Sequence, residues 1–216
     1  LEWVRDNARA FGGDPRRVTI GGQSAGAVAV NDLIVSPAAR GLFAGAIAQS
    51  GSAFGIPAVP LAEAERTGEQ LAETLGVRTL AELRALPWER VRGVVLGHLD
   101  PDRPGARHFT FRPVLDGHVL IEDPVHGASR VVTHVPLLTG FTADEFITPG
   151  PVIRAAFEEQ TRKRYGQHAE RLLALYPHAT DAEATASAAV AARDAYMAPL
   201  VFWAEARSRS AGQPIY

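Results

Sequence analysis

Apolar residues at Leu1, Val4, Ala8 and Phe11 recur in steps of three and four, which predicts a helix over residues 1–11. Gly12-Gly13-Asp14-Pro15 ends it with glycines and a turn proline. Val18-Thr19-Ile20-Gly21 is a short β-branched run, read as a buried strand. Helical spacing returns over 25–35, with Ala27, Val30, Leu33 and Ile34 on one side. Leu42 to Ala48 forms a second short apolar run, closed by Gln49-Ser50-Gly51-Ser52. Helix, strand, helix, strand in this order predicts an α/β fold with a mostly parallel, buried sheet.

From 60 to 95 the pattern is helical and more charged, with Leu61, Ala64, Gly68, Leu71 and Leu75 on one face. Thr79-Leu80-Ala81-Glu82 matches a capping box, and Pro87 limits the helix it starts. Residues 98–112 are loop-like. Val135-Pro136-Leu137-Leu138-Thr139-Gly140 reads as another core strand, followed by a polar loop over 141–151. The remainder is helical over 152–164, 167–175 and an alanine-rich stretch from 181 to about 209. Gln213-Pro214-Ile215-Tyr216 reads as a turn entering a strand, and Leu1 opens in mid-helix. Both ends are therefore expected to be cuts through a larger fold.

Composition narrows the function. The 216 residues are 46% hydrophobic, enough for a sizeable core, and 22 basic against 24 acidic side chains give a net charge of −2. No basic stripe suggests nucleic acid as a partner. Cysteine is absent, so thiolate metal sites and a cysteine nucleophile are excluded, and none of the seven histidines has metal-binding spacing. No apolar run approaches the roughly 20 residues of a membrane helix. The chain is expected to be soluble, with the cytoplasm favoured and oligomeric state unread.

Gly22-Gln23-Ser24-Ala25-Gly26 carries the clearest chemistry, a G-x-S-x-G run between a β-rich segment and a helical one. A serine offered to substrate at a strand tip needs a sharp, strained turn. Glycines two positions to either side would clear Cβ atoms from the neighbouring strand and helix. The following helix would aim its N–H groups at a developing oxyanion, with Ala25 N–H as one donor. The plainer reading is a serine that only caps the helix. A carboxylate beyond the strand at 135–140 would stand where such folds place catalytic groups, and Asp144 and Glu145 are equal candidates from the residues alone. A solvated acidic loop is the alternative.

These residues resemble the type B carboxylesterase family, which includes the cholinesterases. The resemblance rests on Phe11-Gly12-Gly13-Asp14-Pro15, Gly22-Gln23-Ser24-Ala25-Gly26-Ala27, Ser36-Pro37, Gly41-Leu42-Phe43 and Ala46-Ile47-Ala48-Gln49-Ser50-Gly51. It resumes at Arg112-Pro113-Val114-Leu115-Asp116-Gly117, Val135-Pro136-Leu137-Leu138 and from Tyr196 to Tyr216, leaving 53–110 poorly constrained. It implies a partial α/β-hydrolase fold, one incomplete domain over 1–216 with lid-type helices at roughly 60–95 and 152–209. It also implies a serine carboxylic-ester hydrolase acting on a small-molecule ester through an acyl-enzyme, without cofactor or metal.

The resemblance assigns Ser24 as nucleophile and places the triad acid at Glu145, although Phe146 replaces the usual glycine. Ser50 matches a serine that supports the catalytic histidine, with a strand-end turn as the alternative. Gln23 stands where many relatives carry glutamate, which weakens the case for cationic substrates. Family order leaves only His168 and His178 after the acid, and both lie in helix or turn segments. The base is therefore expected beyond Tyr216, and the glycine-rich oxyanion loop before Leu1. Losing one oxyanion donor costs about 10²–10³ in rate and losing the base costs more, so ester turnover by this chain is expected to be slow or absent. Trp3, Trp88 and Trp203 are expected in core or lid packing rather than in an aromatic cage. Two other readings share most of these residues: a non-catalytic interaction domain on the same scaffold, and a thioester or amide hydrolase.

Overall fold

The computed structural model describes residues 1–52, 56–95, 111–124, 133–142, 145 and 150–216. Three parallel strands, β1 (Thr19–Gln23), β2 (Gly45–Gln49) and β5 (Leu137–Gly140), form the main sheet in the order β1-β2-β5. Gln23 lies in register with Gln49, and Gln49 with Gly140, so the three strands end along one rim. Ile215 bridges Leu137 in parallel on the far side of β5, which is the strand that the closing residues suggest.

Helix α1 (Glu2–Asn7) continues into a 3-10 turn over Ala8–Phe11, and Gly12 stops it in the left-handed region at φ 80°. The apolar face predicted for this segment forms but is not buried. Leu1, Val4 and Phe11 are exposed, and Phe11 meets Trp3, with ring centroids 6.0 Å apart. Spacing identifies the face; it says nothing of what covers it. Asp14 then accepts from Arg16 N–H and caps the turn that feeds β1.

Helix α2 (Ala25–Val35) has the bounds its periodicity predicts. It buries Ala27, Val30, Ile34 and Val35 against Ile20, Ala46, Ala48 and Leu137, forming the main core. β1 buries only Ile20, whereas Thr19, Gly21 and Gln23 are exposed, so the expected strand with both faces covered is covered on one. The paired strands β3 (Val59–Pro60) and β4 (Val114–Leu115) form a second small sheet that the sequence pattern does not reveal.

The helical regions carry cores of their own. In α3 (Leu61–Leu75), α4 (Leu80–Ala85) and α5 (Trp88–Val95), Leu71 and Leu75 collect Leu83, Leu86, Val91 and Val94. Both halves of the Thr79/Glu82 capping box form. In α6 (Arg154–Tyr165), α7 (Ala169–Leu173) and α8 (Asp181–Ala211), Phe157, Leu173 and Ala184 make a third cluster. α8 runs on through Pro199 to insert Trp203, fully buried, into the main core. Trp203 alone meets the expectation for the tryptophans, because Trp3 and Trp88 are each 65% exposed. No helix among the described residues is long and apolar enough to cross a membrane.

Candidate active site

Three strand ends build the site. Ser24 follows β1, Ser50 follows β2, and the loop containing Glu145 follows β5. The ladder extends past the strands: Ser24 N–H donates to Gln49 carbonyl at 3.0 Å, and Ser50 N–H to Gly140 carbonyl at 2.8 Å. Adjacent strands lie about 4.8 Å apart, so the backbone after β1 is roughly 10 Å from that after β5, with Ser50 between them.

Ser24 has φ 55° and ψ −120°, outside the regions an ordinary residue occupies, and it is exposed. It stands at the N-cap of α2, yet its side chain makes no capping hydrogen bond. The plain helix-cap reading therefore fails, and the backbone carbonyl of Ser24 serves the helix instead, accepting from Ala27 and Val28. Ala25 is the first residue of α2, where an N–H has no intrahelical partner. Gln23 is exposed on the same rim.

The flanking glycines divide unequally. A Cβ on Gly22 would lie 2.2 Å from the Gly26 carbonyl oxygen, so the turn forbids one. A Cβ on Gly26 would meet open space, so the expected clash on that side is absent. The second tight contact belongs to Gly51, whose Cβ would lie 2.7 Å from Ser24 carbonyl oxygen and 2.9 Å from Ala27 Cβ. Gly51 belongs to the Gln49-Ser50-Gly51 run, which by itself does not reveal this contact.

Glu145 is partly buried and well held. Its Oε2 accepts from Thr142 N–H at 3.0 Å and from Thr142 hydroxyl at 2.9 Å. The Ser50 hydroxyl also donates to the carboxylate and is the main reason its pKa lies below the ordinary glutamate value, with Thr142 next. Ser50 itself has φ 56°, so two non-glycine residues on neighbouring strand ends hold left-handed backbone. Asp144 and Phe146 lie outside the described residues.

No described histidine joins this group. His178 Nδ1 lies 2.6 Å from Tyr176 carbonyl and its Nε2 3.8 Å from Glu158, while its ring tilts against Phe157. His168 is exposed beside Gln167. His134 precedes β5, at the end of the sheet opposite the site. His118 is exposed in the turn after β4. His98, His108 and His126 lie outside the described residues. Among the described residues no cluster of histidine and carboxylate groups could hold a metal ion.

A cavity of about 1340 Å³ begins at Gly140, Phe141, Thr142 and Glu145 and runs between α6, α7 and α8. Phe157, Tyr165, Leu175, Tyr176, Met197 and Phe202 line it, whereas Ser24 does not. Two buried charges lie elsewhere. Asp32, in the second half of α2, has its pKa raised to about 7, first by burial and then by Asp123. Arg207 on α8 donates to Val135 carbonyl at 3.2 Å, and burial lowers its pKa to about 10.

The family model described as "Carboxylesterase family" matches residues 1–213. The chain belongs to the carboxylesterase family. Within that family it is 34% identical over 177 residues to the phenmedipham hydrolase of Pseudarthrobacter oxydans, covering 78% of this chain and 35% of the relative. It is 30% identical to the para-nitrobenzyl esterase of Bacillus subtilis, covering 100% of this chain and 43% of that enzyme. Among solved structures, a Geobacillus stearothermophilus carboxylesterase superposes with a TM-score of 0.73 at 26% identity, covering all of this chain and 45% of the other. This carboxylesterase-family chain thus spans less than half the length of the curated relatives it matches. Its fold, a partial α/β-hydrolase with a mostly parallel sheet, agrees with those neighbours.

Proposed function

We propose that this chain carries the nucleophile and the acid of a serine carboxylic-ester hydrolase acting through an acyl-enzyme on small-molecule esters. Ser24 is the nucleophile and Glu145 the acid. Ser50 holds Glu145, and Ala25 N–H donates to the oxyanion. As Ser24 Oγ bonds to the ester carbonyl carbon, its proton passes to an imidazole base and the carbonyl oxygen becomes the oxyanion. Collapse breaks the ester C–O bond, and the alcohol leaves with that proton. Water then attacks the acyl-Ser24, releases the acid and restores the hydroxyl.

The observation that carries this reading is Ser24 itself: a strained, exposed serine whose hydroxyl caps nothing. The Ser50–Glu145 contact two strand ends away supports it. In this reading the base is none of His118, His134, His168 or His178, since the contacts of Ser24 and Glu145 include no described histidine. Gln23 adds no negative charge beside Ser24, and the apolar cavity starting at Glu145 suits an ester with an apolar arm.

The test is release of nitrophenol from a nitrophenyl ester by the 216-residue chain, with and without dissolved imidazole. Above the release by imidazole alone without protein, the expected result is a slow release that imidazole accelerates, with both components lost in Ser24→Ala. Release that is unchanged in Ser24→Ala would overturn the reading. Fast turnover without imidazole would place the base within the chain.

A further inference from the structure

Asn31 is the anomaly of the core. It sits on α2 seven residues after Ser24, about two helical turns, and is fully buried between Val30 and Asp32. A buried amide is costly unless bonded, and asparagine is a poor helix former. Its Nδ2 donates to Ala27 carbonyl at 2.8 Å, one turn back on its own helix. That carbonyl already serves the helix ladder, so the bond adds little to α2. Its Oδ1 is buried without a hydrogen-bond partner among the described residues, a penalty that leucine would not carry. Helix stability does not explain this side chain.

The second acceptor of Nδ2 does. It is Gly51 carbonyl, 3.4 Å away and twenty residues along the chain. Gly51 packs with no slack against Ser24 carbonyl oxygen and Ala27 Cβ, as the forbidden Cβ positions show. One residue earlier is Ser50, held at φ 56° with its hydroxyl on Glu145. On the other flank, Thr139 hydroxyl donates to Ala48 carbonyl at 2.8 Å and ties β5 to β2. The turn after β2 is thus fastened on both sides, to β5 by Ser50 N–H on Gly140 carbonyl and to α2 by Asn31.

We propose that Asn31 is a positioning residue: its buried amide fastens the Ser50–Gly51 turn to the helix that carries Ser24, and so sets the placement of nucleophile and acid. The proposal rests on reading Ser24 and Glu145 as the reacting pair. It acts through Ser50, without contact to substrate. When the fastening is lost, the turn shifts, and Ser50 hydroxyl no longer meets Glu145 squarely.

The test follows the titration of the Glu145 side-chain carboxyl carbon by NMR in the full chain. Wild type is compared with Ser50→Ala, Asn31→Leu and Asn31→Ser. Asn31→Leu keeps the branched shape, with somewhat more bulk, and removes the amide. Asn31→Ser keeps a hydroxyl that can bond back to Ala27 carbonyl but cannot span to Gly51, and it protects the test if the leucine variant fails to fold. The expected result is an upward shift of the Glu145 midpoint in all three, because each loses or misaligns the hydroxyl that favours the charged carboxylate. A midpoint in either folded Asn31 variant that coincides with wild type overturns the proposal. So does an unmoved midpoint in Ser50→Ala, or loss of fold in both Asn31 variants, which would make the residue a core element only. Failure of Ser24 to react with a phosphonate in dissolved imidazole would defeat the catalytic reading and leave the titration result standing, so the two failures are separable.

Discussion

Asp32→Asn changes one carboxylate to an amide of equal size, and the structure says how stability should respond to pH. Asp32 is 7% exposed, and its pKa is raised to about 7 from the ordinary 3.8, with burial the larger cause and Asp123 the smaller. Between these values the folded chain keeps a proton that the unfolded chain has released. Unfolding therefore loses a proton, and stability falls as pH rises through roughly 4 to 7, then levels off. A shift of just over three pH units corresponds to roughly 4 kcal/mol at the plateau, the upper bound for what the amide can recover. Side-chain relaxation and imperfect bonding of the amide bring the expected gain at pH 8 to about 2–4 kcal/mol. For a chain of this size that is on the order of 5–15 °C in melting temperature. At pH 4 the wild-type carboxyl is protonated and the two proteins should be nearly equal. Urea midpoints at pH 4, 6 and 8 measure this directly. Asp123→Asn should recover a smaller part of the same effect. A stability gap between wild type and Asp32→Asn that is constant across the three pH values would refute the reasoning.

Two further outcomes follow from close packing. Gly22→Ala places a Cβ 2.2 Å from Gly26 carbonyl oxygen, so the turn must open; stability should fall by roughly 1–3 kcal/mol and reaction of Ser24 with a phosphonate by about 10²-fold or more. Gly26→Ala, with open space at its Cβ, should do neither. Trp203→Ala empties a fully buried site in the main core and should cost roughly 3–5 kcal/mol by urea denaturation, whereas Trp88→Ala, 65% exposed, should cost under about 1 kcal/mol.

What the sequence reveals and what it hides divide by range. α2 is legible because Ala27, Val30 and Ile34 repeat at helical spacing between a glycine-bounded elbow and Ser36-Pro37. The Thr79 capping box is legible because both partners lie within four residues, and Thr180 with Glu183 forms a second that the same pattern could have found. β3 and β4 are hidden because two residues each are too few to show alternation. Ser24 can be singled out by local chemistry, whereas the residues alone leave Glu145 level with Asp144 and the family resemblance marks Ser50; the hydroxyl that joins Ser50 to Glu145 depends on the register of β2 against β5. Gly51 is hidden for the same reason, since its tight contact is with Ser24, far along the chain. Asn31-Asp32 was visible as a polar pair inside an apolar helix, a signal of buried polar groups that periodicity alone passes over.

Incubation of the chain with a fluorophosphonate in dissolved imidazole, with the adduct mapped by peptide mass spectrometry, tests most directly whether Ser24 is the nucleophile and Glu145 the group behind it. The expected result is phosphonylation of Ser24, its loss in Ser24→Ala, and slower labelling in Glu145→Gln. An adduct that persists in Ser24→Ala, or a wild-type Ser24 that stays unmodified on long incubation, would contradict it.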